Sequence, residues 1–113
     1  MLITKAVIPA AGRGTRMGAL TRGLPKEMLR LGNKPMIQWA VEEAASAGIP
    51  EVCVVIRRGK EIIKDHLLRY VAAVGNRPAL TFVYQRFRDG LGGALRTARR
   101  TMLRLESRQR PSA

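Results

Sequence analysis

Residues 6–18 of the chain have the sequence AVIPAAGRGTRMG, which begins as an apolar segment and ends in small residues, glycines and arginines. The apolar part extends back to Leu2 and predicts a buried strand from Leu2 to Pro9. Four glycines and two threonines between Ala10 and Leu24 predict a loop directly after that strand. Because such a loop exposes backbone N–H groups, this stretch is expected to hold a ligand.

Outward from this loop, predicted strands and helices alternate along the chain. Residues 25–35, PKEMLRLGNKP, are predicted to be partly extended, with a turn at Gly32-Asn33. Alternation of strands and helices predicts an α/β fold in which a parallel sheet carries helices on its faces. Ligands bind such sheets at the carboxyl ends of the strands. The further predicted strands are Glu51–Ile56 and Ala79–Tyr84, and the predicted helices are Pro35–Ala47, Lys60 to about Val74, and Gly90 to about Leu105.

The bulk composition is that of one globular domain. The chain has 113 residues, of which 46% are hydrophobic and 26% are charged. Cys53 is the only cysteine, so a disulfide framework is excluded, and its apolar neighbours predict a core position. No apolar run approaches the roughly 20 residues that span a bilayer, and the N-terminus does not resemble a signal peptide. No membrane partner and a cytoplasmic location are therefore expected.

The charge balance is strongly basic. Lys and Arg number 21 against eight Asp and Glu, which gives a net charge of +13 and predicts attraction to polyanions. Nucleic-acid binding is one interpretation of this charge. It is disfavoured because no aromatic residues interleave the arginines that follow Ala98 to stack on bases. Six arginines crowd the last 18 residues: Arg96, Arg99, Arg100, Arg104, Arg108 and Arg110.

The first glycine-rich loop permits two interpretations. In the first, the glycines of Gly12–Arg16 let the backbone approach phosphate oxygens, with which Arg16 can pair. In the second, the segment is an ordinary glycine-rich turn with a surface arginine. The loop is not a dinucleotide-binding fingerprint, since its third glycine, Gly18, comes one residue late, and the Walker A pattern is absent.

Three further features fall at the same edge of the predicted sheet. Lys26 offers a point cation for phosphate, Gln85 offers an amide that suits a base edge, and the glycines of 90–93 could admit a flat base or ribose. Each feature alone is more often an ordinary surface residue or helix start. Their convergence on one edge favours a nucleotide site.

These motifs carry a resemblance to a known family. Residues 5–49, KAVIPAAGRGTRMGALTRGLPKEMLRLGNKPMIQWAVEEAASAGI, resemble the start of the sugar-1-phosphate nucleotidyltransferases, most of all the bacterial UTP–glucose-1-phosphate uridylyltransferases. Arg58-Gly59-Lys60 with Ile63, Asp65 and His66, and the segment YQRFRDGLGGA at 84–94, agree with it. The likeness runs from about residue 3 to about residue 98. It implies a truncated Rossmann-like three-layer α/β/α nucleotidyltransferase fold with a mostly parallel sheet.

The resemblance also implies roles for individual positions. Ala10, Ala11 and Gly12 match the backbone that meets the uracil and ribose, and Gly14, Thr15 and Arg16 match the turn around the phosphates. Lys26 matches the lysine that steadies the triphosphate, so Arg16 and Lys26 are the predicted catalytic residues. Glu27 matches an acid near the nucleotide. Gln85 matches the residue that reads the uracil edge, and Gly90 lies beside it.

The implied reaction is attack by the phosphate of glucose 1-phosphate on the α-phosphorus of UTP, which yields UDP-glucose and pyrophosphate. The resemblance implies Mg²⁺ as cofactor, with its aspartate ligands and the sugar site beyond Ala113, and Asp65 and Asp89 as no substitute for them. The chain is therefore expected to bind UTP and to be inactive alone. A non-catalytic nucleotide-binding or regulatory remnant is the alternative.

Two expectations concern the whole chain. Residues 1–98 are predicted to form the nucleotide-binding part, and residues 99–113 a basic, divergent and frayed tail. In the family's sheet a later strand pairs with the first, so the first strand is expected to be an open apolar edge here. Such edges pair with other chains, and self-association or marginal stability is therefore expected.

Overall fold

The computed structural model describes residues 3–12, 24–75, 77–86 and 90–109. Within them an α/β fold is formed by a parallel sheet, a short hairpin and three long helices. The strands are β1 (Lys5–Pro9), β2 (Arg30–Leu31), β3 (Lys34–Pro35), β4 (Glu51–Ile56) and β5 (Ala79–Tyr84). The helices are a 3-10 helix (Lys26–Met28), α1 (Met36–Ser46), α2 (Glu61–Ala73) and α3 (Gly90–Gln109).

The main sheet has the strand order β1-β4-β5, and both of its strand pairs are parallel. The register pairs Lys5 with Glu51 and Glu51 with Ala79, so the three strands begin at one level. They consequently end at one level as well, with Pro9 beside Val55 and Ile56 beside Tyr84. The carboxyl edge of the sheet is therefore built by the residues that follow these three strands.

Alternate side chains of β4 divide the core into two layers, as the two faces of a strand require. Val52, Val54 and Ile56 pack with residues of α1 and α2, whereas Cys53 and Val55 pack with Ala94 and Ala98 of α3. All five of these β4 residues are fully buried. The sheet thus lies between α1 and α2 on one face and α3 on the other, which confirms the predicted three-layer α/β/α arrangement.

The hairpin formed by β2 and β3 packs against the start of α1. Gly32 has a φ of +72°, a left-handed conformation that glycine adopts at little cost, and it makes the turn predicted at Gly32-Asn33. The indole N–H of Trp39 donates a hydrogen bond to the Leu31 carbonyl at 2.8 Å. Lys34 lies over the Trp39 ring and pairs with Glu42 at 2.7 Å. These contacts join the hairpin to α1.

The observed bounds differ from the predicted ones mainly at chain ends. β4 and β5 have the predicted bounds, and β1 begins at Lys5. Helix α3 continues to Gln109, past the predicted end near Leu105, because the intervening residues are mostly good helix formers. Residues 110–113 lie outside the described residues, and the domain boundary at residue 98 stays a prediction. In the described part of the chain, no helix is both long and apolar enough to cross a membrane.

Candidate functional site

The carboxyl edge of the sheet brings Ala10 and Gln85 to opposite sides of β4. The N–H of Ala10 donates to the Val55 carbonyl at 2.7 Å, and the N–H of Gln85 donates to the Ile56 carbonyl at 2.8 Å. Each residue therefore continues the ladder one step beyond its own strand. Since neighbouring strands lie about 4.8 Å apart, the two backbones are separated by about 10 Å across this edge. β4 lies between them, so a ligand that contacts both residues must lie over the carboxyl end of β4.

The three residues after β1 pass from the core to solvent. Ala10 is buried, Ala11 is half-buried against the α3 face of the core, and Gly12 is exposed. A β-carbon built on Gly12 would meet no atom of the described residues within 4 Å. Packing among the described residues therefore does not demand glycine there.

Lys26 and Glu27 lie on the 3-10 helix and have different surroundings. Lys26 is exposed, whereas Glu27 is half-buried and its Oε1 lies 3.1 Å from Nζ of Lys60. The same Nζ donates a hydrogen bond to the Ala10 carbonyl at 2.9 Å. Lys60 thus connects two segments that carry predicted site residues.

Lys60 is 4% exposed and is the one charged residue buried in the described part of the chain. Burial lowers the pKa of its ammonium group below the ordinary value, and the hydrogen bond to Glu27 opposes this shift. The positive charges of Arg57 and Lys26 lower the pKa of Lys60 further. The N–H of Lys60 donates to the Arg57 carbonyl, and Lys26 precedes the Glu27 that pairs with Lys60, so these residues form a cluster of three cations at this edge. A concentration of positive charge beside open backbone favours phosphate groups.

Arg57, the first residue after β4, adds a donor to this cluster of cations. It is half-buried, and its Nε is fully buried with no hydrogen-bond partner among the described residues. Buried donors are nearly always paired, so an unpaired one beside a predicted phosphate site is notable. Neither Arg57 nor Lys60 was among the residues predicted from the sequence to bind the nucleotide.

A signal for Lys60 was present in the sequence. The residue caps the N-terminus of α2, where the helix dipole disfavours a positive charge. A lysine at such a position suggests a local partner that outweighs the dipole. The partners, however, lie 50 and 33 residues earlier in the chain, at Ala10 and Glu27, so the pairing itself follows only from the fold.

Other predicted site residues are placed only in part. Gly14, Thr15 and Arg16 lie outside the described residues, as does Asp89. Gly90 is the first residue of α3, the helix that follows β5 at this edge. Their roles, like those of Ala10, Ala11, Gly12, Lys26, Glu27 and Gln85, stay predictions.

The described residues do not fit a magnesium ion. No group of three or more His, Cys, Asp or Glu side chains lies together among them. Glu27, the acid at this edge, is engaged by Lys60, and Asp65 is exposed on α2. No step of a reaction is therefore assigned here to a metal held by these residues.

Comparison with known proteins identifies relatives along most of the chain. Residues 6–107 match the family of MobA-like NTP transferase domains. The UTP–glucose-1-phosphate uridylyltransferase of Mycoplasma pneumoniae is 42% identical over 111 residues, which cover 82% of this chain and 38% of the relative. The enzyme of the same name from Pseudomonas aeruginosa is 52% identical over 65 residues, which cover 58% of this chain and 23% of the relative.

The solved structures that resemble this chain are named as the same class of enzyme as the sequence relatives. A UDP-glucose pyrophosphorylase complexed with UDP-glucose has a TM-score of 0.75 and 34% identity, covering 89% of this chain and 42% of that one. A UTP-bound UGPase from Acinetobacter baumannii has a TM-score of 0.73 and 28% identity, again covering 89% of this chain and 42% of that one. The chain spans about two fifths of the length of these relatives.

Proposed function

The chain belongs to the family of MobA-like NTP transferase domains, and we propose that the carboxyl edge of its sheet binds UTP. The placement of Ala10 and Gln85 on either side of β4 carries this proposal, because the two residues flank the carboxyl end of that strand with backbone on one side and an amide residue on the other. Two neighbouring cations, Lys26 and Arg57, supply positive charge for phosphates. Related solved structures bind UDP-glucose and UTP, which supports the same ligand class.

The proposed roles follow the geometry and the resemblance. The backbone of Ala10–Gly12 contacts uracil and ribose, and Gln85 recognises the uracil edge with its amide. Gly14, Thr15 and Arg16 surround the phosphates, and the exposed ammonium of Lys26 neutralises the triphosphate. Glu27 lies near the nucleotide, held by Lys60, and Gly90 lies beside Gln85.

The proposed reaction of the whole protein is uridylyl transfer. A phosphate oxygen of glucose 1-phosphate forms a bond with the α-phosphorus of UTP, and the bond from that phosphorus to the bridging oxygen of pyrophosphate breaks. Catalysis of this kind rests on positioning and charge neutralisation, for which Arg16 and Lys26 are proposed, and Mg²⁺ is proposed as the cofactor of the whole protein. Since the matched relatives are more than twice as long, the 113 residues alone are proposed to bind UTP without releasing pyrophosphate.

Calorimetric titration with UTP and ATP tests the site. We expect the chain to prefer UTP by about tenfold, because the amide of Gln85 makes hydrogen bonds that fit uracil and not adenine. Gln85→Ala should remove this preference. Gln38→Ala is the matched control, since Gln38 lies on α1 and its amide bonds Glu42 and His66 instead. Equal binding of UTP and ATP, or an unchanged preference in Gln85→Ala, would contradict the proposal.

A second measurement separates an enzyme from a non-catalytic binding protein. The chain is mixed with UTP, glucose 1-phosphate and Mg²⁺, and pyrophosphate release is followed. Release by the 113 residues alone would show that they are catalytically sufficient, against the proposal. Specific UTP binding without pyrophosphate release supports the proposal. Lys26→Met removes the predicted catalytic cation, and UTP binding that persists in this variant favours the regulatory alternative.

Polyanion binding is the remaining candidate, favoured by the exposed Arg96, Arg99 and Arg100 on α3. Affinity for a nucleic acid would fall steeply with salt, with a log–log slope that scales with the phosphates contacted. Base discrimination at the proposed site would persist at high salt.

A further inference from the structure

The buried ammonium of Lys60 holds three segments together. It donates to the carbonyl that follows β1 and pairs with Glu27 on the 3-10 helix, and the backbone of Lys60 occupies the N-cap position of α2 at the end of the loop after β4. These segments are distant in sequence and meet at the carboxyl edge of the sheet. Burying an ammonium group is costly unless its donors are used, and here two of its three donors are used.

The bond to Ala10 has a directional consequence. A trans peptide unit is planar, and its C=O and the following N–H point in opposite directions. When Lys60 anchors the Ala10 oxygen from the core side, the N–H of Ala11 is turned away from Lys60. No atom of the described residues lies within 4 Å of a β-carbon built on the next residue along, Gly12. The peptide unit that Lys60 anchors is therefore the first one of Ala10–Gly12, the backbone that is proposed to contact the base and ribose.

We propose that Lys60 is a positioning residue for the nucleotide site, which orients the Ala10–Gly12 backbone through its bond to the Ala10 carbonyl and holds the Glu27 carboxylate away from the phosphates. This inference rests on the proposed function. Lys60 does not touch the nucleotide. It sets the geometry of the backbone that does, and it pairs with the carboxylate of Glu27.

If Lys60 only stabilised the fold, its loss would change stability and UTP affinity together. Four variants separate that role from the proposed positioning role. Lys60→Met removes the ammonium and leaves Glu27 buried without its partner. Glu27→Met removes the carboxylate and leaves the bond from Lys60 to Ala10. The double variant Lys60→Met/Glu27→Met removes both charges, so no unpaired buried ion remains. Lys34→Met removes a different ion pair, which lies between the hairpin and α1.

Two quantities are measured for each variant: the free energy of unfolding, by urea titration followed with far-UV circular dichroism, and the Kd for UTP. We expect Lys60→Met to lose stability and at least tenfold in UTP affinity. Glu27→Met should lose less UTP affinity than Lys60→Met does, because the Ala10 carbonyl remains anchored. Lys34→Met should leave UTP affinity unchanged.

The double variant decides the question even if Lys60→Met does not fold. Replacing a buried ion pair with apolar side chains is often neutral or stabilising, so we expect its stability to recover toward that of the unsubstituted chain. Its UTP affinity should stay at least tenfold reduced. Recovery of affinity together with stability would overturn the proposal, as would equal loss of affinity in Glu27→Met and the double variant.

Failure of the proposed function gives a separate result. If the unsubstituted chain binds no UTP, the nucleotide assignment fails, and the anchoring role is judged from the backbone amides alone. NMR order parameters of Ala11 and Gly12 should then fall in the double variant relative to the unsubstituted chain. Unchanged order at these two amides would overturn the positioning role.

Discussion

His66 shows how one side chain on α2 is held neutral by its surroundings. Its imidazole Nε2 lies 2.7 Å from Oε1 of Gln38 on α1, so the ring donates and the amide accepts. Burial lowers the pKa of His66 below its ordinary value of 6.5, and the positive charges of Arg69 and Arg30 lower it further. The folded chain therefore binds the proton of this ring less tightly than the unfolded chain does.

The sign of the resulting pH dependence follows. The stability contributed by neutral His66 is complete above pH 6.5, the unfolded pKa, and is lost as pH falls through the lower folded pKa. Because His66 is the only histidine, its ring resonances need no assignment in a proton NMR titration. We expect a midpoint below 6.5 in the folded chain and a higher midpoint in urea.

Arg69→Gln is the matched variant for this titration, since it removes one of the charges that disfavour imidazolium and leaves the bond to Gln38 in place. Its midpoint should rise toward 6.5. A folded midpoint at or above 6.5 in the unsubstituted chain would show that the ring is more solvated than the packing of α1 on α2 indicates.

At the scale of elements, glycine is required by the backbone conformation of the hairpin turn but not by that of the first turns of α3. Gly32 has a left-handed φ, and a β-carbon built there would lie 4.0 Å from the Trp39 ring, an ordinary contact. Gly92 lies within α3, where a β-carbon would approach only the flexible end of Arg96 at 3.4 Å. Backbone conformation, and not space, therefore separates the two positions.

Substitution by alanine should consequently change stability in opposite directions. Gly32→Ala should lower the free energy of unfolding by about 1 kcal/mol because an L-residue is strained in this region. Gly92→Ala should raise it by about 0.5 kcal/mol because alanine favours the helix. Urea titration measures both, and a stabilising Gly32→Ala would show that the hairpin turn is not formed in solution.

The elements were largely predictable from sequence, because β4 and β5 are short continuous apolar runs and α1 and α2 repeat apolar residues at helical spacing. The position of Ala10, Ala11, Gly12 and Gln85 at one edge also followed, since it requires only that the strands be parallel. The contact of Lys60 with Ala10 and Glu27 did not follow. It depends on how the N-terminus of α2 is placed against two distant segments, which local patterns do not encode.

For the whole molecule, the open edge of the sheet is the feature with the largest expected effect. In the described part of the chain, β1 pairs with β4 on one side, and Ile3 just before it is 66% exposed. We expect the isolated 113-residue chain to self-associate by pairing β1 with β1 of a second copy. Sedimentation velocity across a wide concentration range measures this directly.

Salt distinguishes this association from clustering on contaminating polyanions. The net charge of +13 makes copies repel one another, so association through β1 should strengthen as salt screens that repulsion. Clustering on polyanions should weaken instead. A monomer at every concentration and salt level would show that the β1 edge is protected.

Cys53 has a practical consequence of its place at the centre of the sheet. Its side chain is fully buried between β4 and α3, and burial raises the pKa of its thiol, so the folded chain presents no reactive thiolate. Because no other cysteine exists, thiol reagents should label the chain only when the sheet separates from α3. The labelling rate of Cys53 then reports how often that opening occurs. A lower labelling rate in the presence of UTP would measure ligand binding without any change to the sequence.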